Sequence, residues 1–133
     1  LGEFAEIDKT TFSAYKNEEF KNALWESGRK TVIMTGIETH ICVEQTTLDL
    51  LEAGYNVVVA ADCMSSRDLT NHNISVAKMA AAGATVTCTE SILYELLGGA
   101  KAPEFKAISA IVIVVFFLVY TASAFGFSEL LFT

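Results

Sequence analysis

Basic residues are scarce in this chain of 133 residues. Lys and Arg number 9 against 16 Asp and Glu, which gives a formal net charge of −7. Proteins that bind nucleic acid collect Lys and Arg on one face, and no such cluster occurs here. Nucleic acid is therefore not expected as a partner.

Cysteine pairs are also missing, and the chain has only one proline. The three cysteines, Cys42, Cys63 and Cys88, form an odd set without CxxC spacing, and the first ten residues lack the basic start and apolar core of a secretory signal. A reducing, cytosolic setting is expected. With the single proline, Pro103, no Pro-rich linker divides the chain. We expect Cys88 to be a core residue and Cys63 to be a packed residue, with a place at the ligand-binding edge of the sheet as the alternative for Cys63.

Apolar runs alternate with helical patterns through most of the chain. Each β-branched run is followed by an amphipathic segment that a glycine ends. Successive strand-then-helix units favour parallel strands with helices on the faces of the sheet. The sequence predicts a doubly wound α/β fold with strands at 31–35, 55–61 and 84–88, helices at 41–53 and 73–82, and a third helix that follows Thr89. A polar loop is predicted at 62–71, and the helix 41–53 is expected to have its apolar face at Ile41, Leu48 and Leu51.

Cys42 lies in the first predicted turn of the helix that follows the strand 31–35. Ligands of open α/β sheets bind beyond the carboxyl ends of the strands, and the positive end of a helix dipole favours a thiolate over a thiol. A nucleophilic cysteine is one interpretation. The alternative is a buried packing residue, since free cysteines are among the most buried residue types.

The segment GIETHICVEQTTLDLLEAGYNVVVAADCMSSR, with KTTFSAY upstream, resembles the isochorismatase-like cysteine hydrolases, in particular the eukaryotic isochorismatase domain-containing proteins. The resemblance covers about residues 8–106. It implies a parallel sheet flanked by helices and a catalytic triad of Asp, Lys and Cys. Carried over, Cys42 is the nucleophile and Lys9 the lysine, for which an ordinary surface lysine is the alternative.

The turn before Cys42 carries further implied functions. The resemblance implies a cis peptide bond between Ile37 and Glu38, and an oxyanion hole formed by the backbone amides of Glu38 and Cys42. Phe12 and His40 are the implied substrate contacts, with solvated loop residues as the alternative for Glu38 and His40. No cofactor is implied, and His40 and His72 lack metal-ligand spacing, so no metal is expected.

One part of the family pattern is missing. The catalytic Asp stands in a D-x-Q-x-x-F segment that this sequence does not contain, and Asp8 is adjacent to Lys9 rather than on a separate strand. We therefore expect the C-terminal half of the family domain only, without a general base. The strand 31–35 would then be an exposed edge, which pairing in a homo-oligomer would cover.

The uncharged stretch AISAIVIVVFFLVYTASAFGFS, residues 107–128, has about the length that crosses a bilayer as a helix. The predicted organisation is a partial hydrolase domain at 1–106, a transmembrane helix at 107–128 and a short tail at 129–133. The domain would then face the cytosol. A translated intron or shifted reading frame, a buried element and an aggregation-prone tail are the alternatives.

These observations predict an isochorismatase-like hydrolase that cleaves a C–N bond of a small-molecule amide through Cys42, inactive because the Asp-bearing strand is absent. The alternative is a catalytically dead fragment or a membrane-anchored interaction module.

Overall fold

The computed structural model describes the backbone of residues 6–124 and the side chains of residues 6–115 and 117. After a short 3₁₀ turn at Ala14–Lys16, its regular elements are α1 (Glu18–Glu26), β1 (Thr31–Ile37), α2 (Glu44–Glu52), β2 (Asn56–Ser65), α3 (Leu69–Ala81), β3 (Thr85–Thr87), α4 (Thr89–Leu97) and α5 (Phe105–Ala124). A π-helical turn, Thr39–Val43, lies between β1 and α2.

The three strands form one parallel sheet in the order β1-β2-β3. Parallel neighbours need a crossover, and α2 and α3 provide the two crossovers. The predicted α/β fold, with a parallel sheet and flanking helices, is confirmed. Its finer description as doubly wound stays a prediction.

The core lies where β2 packs against α2 and α3. Leu50, Val59 and Met79 are fully buried, and Val43 and Val57 join them. Burying such a side chain contributes about 1.5–3 kcal/mol. The buried side of α2 differs from the apolar face expected at Ile41, Leu48 and Leu51, because it consists of Thr46, Thr47 and Leu50.

Two boundaries differ from the sequence-based expectation. β2 continues to Ser65, beyond its last predicted residue at position 61, because its distal part pairs with Gly36 and Ile37 of β1 after a shift in register. α3 begins at Leu69 because the side chain of Asp68 accepts a hydrogen bond from the Asn71 amide, which caps the helix. The predicted polar loop is therefore much shorter.

Two of the cysteine expectations were wrong. Cys63 and Cys88 are both exposed. Cys63 lies in the distal part of β2, past the buried residues Val57–Ala60, and Cys88 follows the end of β3. Neither position is covered by the described core, so local apolar surroundings in the sequence were a poor guide to burial.

Strand β1 forms one edge of the described sheet. Its residues alternate between exposed and half-buried, and none is fully buried. Ile33 and Ile37 are exposed, at 46% and 72%. Exposed apolar edges are surfaces on which another strand can pair, but association into a homo-oligomer stays a prediction.

The chain divides into two compact units, one ending at Cys88 and the other beginning at Thr89. In the second unit, Tyr94 of α4 lies beside α5: its ring centroid is 6.3 Å from that of Phe105, and its hydroxyl is 3.4 Å from that of Ser109. The predicted domain boundary after residue 106 stays a prediction.

The predicted transmembrane helix is not supported. Residues 105–124 are helical, yet among the residues that the structure describes no helix has the combined length and apolar character that a bilayer crossing requires. Positions 125–128 of the predicted span and the predicted tail, 129–133, lie outside the described residues.

Candidate functional site

Cys42 lies in the π-helical turn between the carboxyl end of β1 and the start of α2. The carbonyl of Glu38 accepts hydrogen bonds from the amides of Ile41 and Val43, at 3.1 and 3.3 Å, which closes this turn. The thiol is half-buried and is not in a disulfide. Single π-helical turns occur frequently at functional sites. The sequence predicted an α-helical first turn here, without the wider π winding.

The peptide bond between Ile37 and Glu38 is cis, at the position that the family resemblance implies. The Glu38 amide is part of this cis bond, and the Cys42 amide belongs to the turn that follows it. Their function as an oxyanion hole stays a prediction.

Lys9 is exposed and its ammonium is held by its own loop. Its Nζ donates to the carbonyl oxygens of Thr11, at 2.9 Å, and Phe12, at 3.0 Å. The structure therefore brings Lys9 and Phe12 together, with the Phe12 ring exposed to solvent. The role of Lys9 beside Cys42 stays a prediction, as does that of Phe12 in substrate binding.

Thr46 connects the Lys9 loop with the Cys42 turn. Its hydroxyl donates to the carbonyl oxygen of Cys42, at 2.7 Å, and accepts from the amide of Ala14, at 2.9 Å. Thr46 is buried. Sequence analysis did not single it out; the available signal was a threonine one helical turn after the candidate nucleophile.

Four polar residues meet where β1 and β2 end. Glu38 Oε2 is 3.3 Å from Arg67 Nε and 3.6 Å from His40 Nδ1, and His40 Nδ1 is 3.0 Å from the Ser66 hydroxyl. Parallel pairing of Ile37 with Ser65 places the following residues together. Arg67 forms an ion pair with Glu38 Oε2, and among the described residues no group donates an aligned hydrogen bond to this oxygen.

His40 lies in the same turn as Cys42, two residues earlier, and its function as a substrate contact stays a prediction. The pKa of Asp68, at the start of α3, is held below its usual value mainly by the hydrogen bond from the Asn71 backbone.

Among the described residues, no group of three or more His, Cys, Asp or Glu side chains is placed to hold a metal ion.

A parallel sheet with a thiol in the turn at its carboxyl edge is typical of α/β proteins that bind ligands at that edge. The model of the isochorismatase domain matches residues 4–91, and the chain belongs to this family of isochorismatase-like hydrolases. The match does not support the finer prediction that only the C-terminal half of the domain is present.

Three relatives illustrate the similarity. The chain is 44% identical over 84 residues to a secreted isochorismatase effector of Phytophthora sojae, covering 63% of this chain and 40% of the relative. The structure of a MAR1 ribonuclease from Caenorhabditis elegans has a TM-score of 0.73 and 40% identity, covering 80% of this chain and 54% of that one. A pyrazinamidase/nicotinamidase from Streptococcus mutans has a TM-score of 0.58 and 30% identity, covering 61% and 45%. This chain therefore spans about half, or less, of these relatives.

Proposed function

We propose that this chain carries the nucleophile half of an amide-hydrolysing site, in which Cys42 attacks the carbonyl carbon of a small amide. The observation that carries this proposal is the position of Cys42 in a π-helical turn at the carboxyl edge of the sheet. The amidase name of the Streptococcus mutans relative supports a C–N bond as the target.

In the proposed reaction the thiolate adds to the amide carbonyl and the C–N bond breaks. The nitrogen leaves as an amine after it gains a proton, and water then hydrolyses the thioester. The amides of Glu38 and Cys42 would hold the developing oxyanion. Lys9 would favour the thiolate through its positive charge, and Phe12 and His40 would contact the substrate.

The proposed chemistry lacks one group. The proton of the thiol needs an acceptor, and the family's D-x-Q-x-x-F segment does not occur in the sequence. Asp8 is exposed, and its carbonyl accepts a hydrogen bond from Asn17. We therefore propose that these residues correspond to the C-terminal half of the domain and show no amide turnover by themselves.

Site-resolved labelling with iodoacetamide at neutral pH tests the nucleophile. Cys63 and Cys88 serve as references within the same molecule, because both are exposed while Cys42 is half-buried. Burial alone would make Cys42 the slowest. We expect it to be roughly tenfold faster than the references, since an ordinary thiol is only a few per cent thiolate at pH 7.

The control for an assembled site is the Lys9→Ala variant, with Lys30→Ala as the matched removal of an exposed lysine that precedes β1, at the end of the strand opposite to Cys42. Lys9→Ala should lower the Cys42 labelling rate toward that of Cys63, and Lys30→Ala should leave it unchanged. Slow and equal labelling of Cys42 in all three proteins would rule out the enzyme proposal.

A non-catalytic interaction module is the second candidate, favoured by the exposed apolar edge of β1. If Ile33 and Ile37 pair with another copy of the chain, sedimentation should show a concentration-dependent oligomer. Ile33→Lys would shift it to monomer, because a charged edge opposes strand pairing. A monomer at all concentrations would exclude this homo-oligomer.

RNA is a possible substrate only through the printed name of the Caenorhabditis elegans relative. The net charge of −7 opposes binding of a phosphate backbone, so we propose that RNA is not bound. Fluorescence anisotropy of labelled single-stranded RNA at low salt should show no change on adding the protein. Binding that weakens with added salt would contradict this.

A cytosolic location also stays a prediction.

A further inference from the structure

Thr46 makes a tertiary connection that its helix does not need. A threonine within a helix often donates to the carbonyl four residues earlier, and Thr46 does this with Cys42. Here the same oxygen also accepts a hydrogen bond from the amide of Ala14, which lies in a segment 32 residues earlier in the chain. The hydroxyl therefore ties two distant segments together inside the protein.

The segment that reaches Thr46 is the one that carries Lys9. The Lys9 ammonium donates to the carbonyls of Thr11 and Phe12, and the Thr11 hydroxyl donates to the carbonyl of Ser13 at 2.7 Å. Ala14 follows directly and begins the 3₁₀ turn. The loop 9–13 is thus folded on itself and attached at its end to α2.

We propose that Thr46 is a positioning residue that holds the Lys9 loop against the turn of Cys42. This inference rests on the proposed function. The Lys16–Asp49 ion pair is a weaker connection, because its atoms are 4.0 Å apart and the lysine is exposed, although Asp49 Oδ2 is buried. The rings of Tyr15 and Tyr55 are in edge contact, with centroids 6.0 Å apart, and this contact fixes the 3₁₀ turn rather than the loop.

The neighbouring residue Thr47 is a matched control. It is fully buried on the same helix, and among the described residues its hydroxyl has no hydrogen-bond partner. Thr47→Val and Thr46→Val make the same chemical change, of hydroxyl to methyl. Of these two substitutions, only Thr46→Val removes the connection between Ala14 and Cys42.

A second variant removes the connection from the other side. Ala14→Pro deletes the amide that donates to Thr46. Proline is well tolerated at the first position of a helix, and the preceding residue, Ser13, has φ −75° and ψ 128°, the extended conformation that proline favours before it. Ala14→Pro therefore loses the hydrogen bond while it keeps the local backbone and the Thr46 side chain.

The experiment measures iodoacetamide labelling of Cys42 in these variants, each with and without Lys9→Ala. Thr46→Val and Ala14→Pro should both slow the labelling about as much as Lys9→Ala does, and adding Lys9→Ala should slow neither further. Thr46→Ser should restore most of the rate, and Thr47→Val should label as the wild type does. A general loss of packing would not produce this non-additivity with Lys9→Ala.

Amide hydrogen exchange gives a readout that does not depend on thiol reactivity. The Ala14 amide should exchange about tenfold faster in Thr46→Val than in Thr47→Val, the effect of one lost hydrogen bond. If wild-type Cys42 labels no faster than Cys63, the proposed function fails, and Ala14 exchange alone then decides whether the tie exists. The inference would be overturned if Cys42 in both Thr46→Val and Ala14→Pro were labelled at the wild-type rate and Lys9→Ala still slowed that labelling. It would also be overturned if the exchange rate of the Ala14 amide were unchanged in Thr46→Val.

Discussion

The imidazole Nδ1 of His72, on α3, lies 2.9 Å from the hydroxyl of Thr39, in the turn that carries Cys42. Thr39 is fully buried, and α3 contacts it a second time. The hydroxyl of Ser75, one turn further along α3, donates a hydrogen bond to the Thr39 carbonyl at 3.0 Å. The conformation of the turn therefore depends on a helix that is remote in sequence.

This relationship predicts the effect of Ser75→Ala. The substitution removes one of the donors to the Thr39 carbonyl, which keeps the hydrogen bond from the Glu44 amide. The free energy of unfolding should fall by about 0.5–1.5 kcal/mol, the net contribution of one hydrogen bond. Denaturant titration followed by circular dichroism would measure the loss. Asn73→Ala, at an exposed position of the same helix, should change stability by less than about 0.5 kcal/mol; equal effects would contradict the prediction.

Met79→Ala should destabilise the protein by about 2–5 kcal/mol. Met79 is fully buried in the core cluster, so truncation leaves a cavity in addition to the lost burial. Ile74→Ala on the same helix is the control, because Ile74 is 61% exposed. Thermal unfolding should show a large decrease in the midpoint for Met79→Ala only.

Gly36→Ala should also be destabilising, by about 1–2 kcal/mol. Gly36 has φ +113°, which an alanine adopts with strain. A Cβ at this position would meet no atom of the described part of the chain within 4 Å, so the cost comes from the backbone rather than from a clash. Gly99→Ala, where there is equal space and no positive φ, should be neutral or slightly stabilising. A neutral Gly36→Ala would contradict this reasoning.

Asp68 predicts a pH dependence of stability. The hydrogen bond from the Asn71 amide lowers the folded-state pKa of Asp68 below its usual value of 3.8. The native state therefore releases this proton more readily than the unfolded state. The resulting stabilisation is present above the unfolded pKa and is lost as the pH falls through the lower, folded pKa.

Asp68→Asn keeps an acceptor for the cap but does not titrate. Unfolding curves collected between about pH 5 and pH 2 should show that the wild type loses stability relative to Asp68→Asn as the solution becomes more acidic. Curves that remain parallel over this range would mean that Asp68 contributes no proton-linked stability.

Regular secondary structure depended mostly on neighbours in the sequence. The β-branched runs of β1 and β2 and the glycines after α2 and α3 mark these elements because each signal acts within a few residues. The position of Cys42 after the carboxyl end of β1 could be predicted from the same local signals. The parallel arrangement could also be predicted, because each strand is followed by a helix.

The tertiary structure decided the features that join residues distant in sequence. The hydrogen bonds of Ala14 with Thr46, Thr39 with His72 and Ser75 with Thr39 span 32, 33 and 36 residues, and no local pattern specifies such partners. The burial of Thr46 was missed for the same reason: apolar periodicity favours leucine faces, whereas this threonine is buried with its hydroxyl bonded to a remote segment.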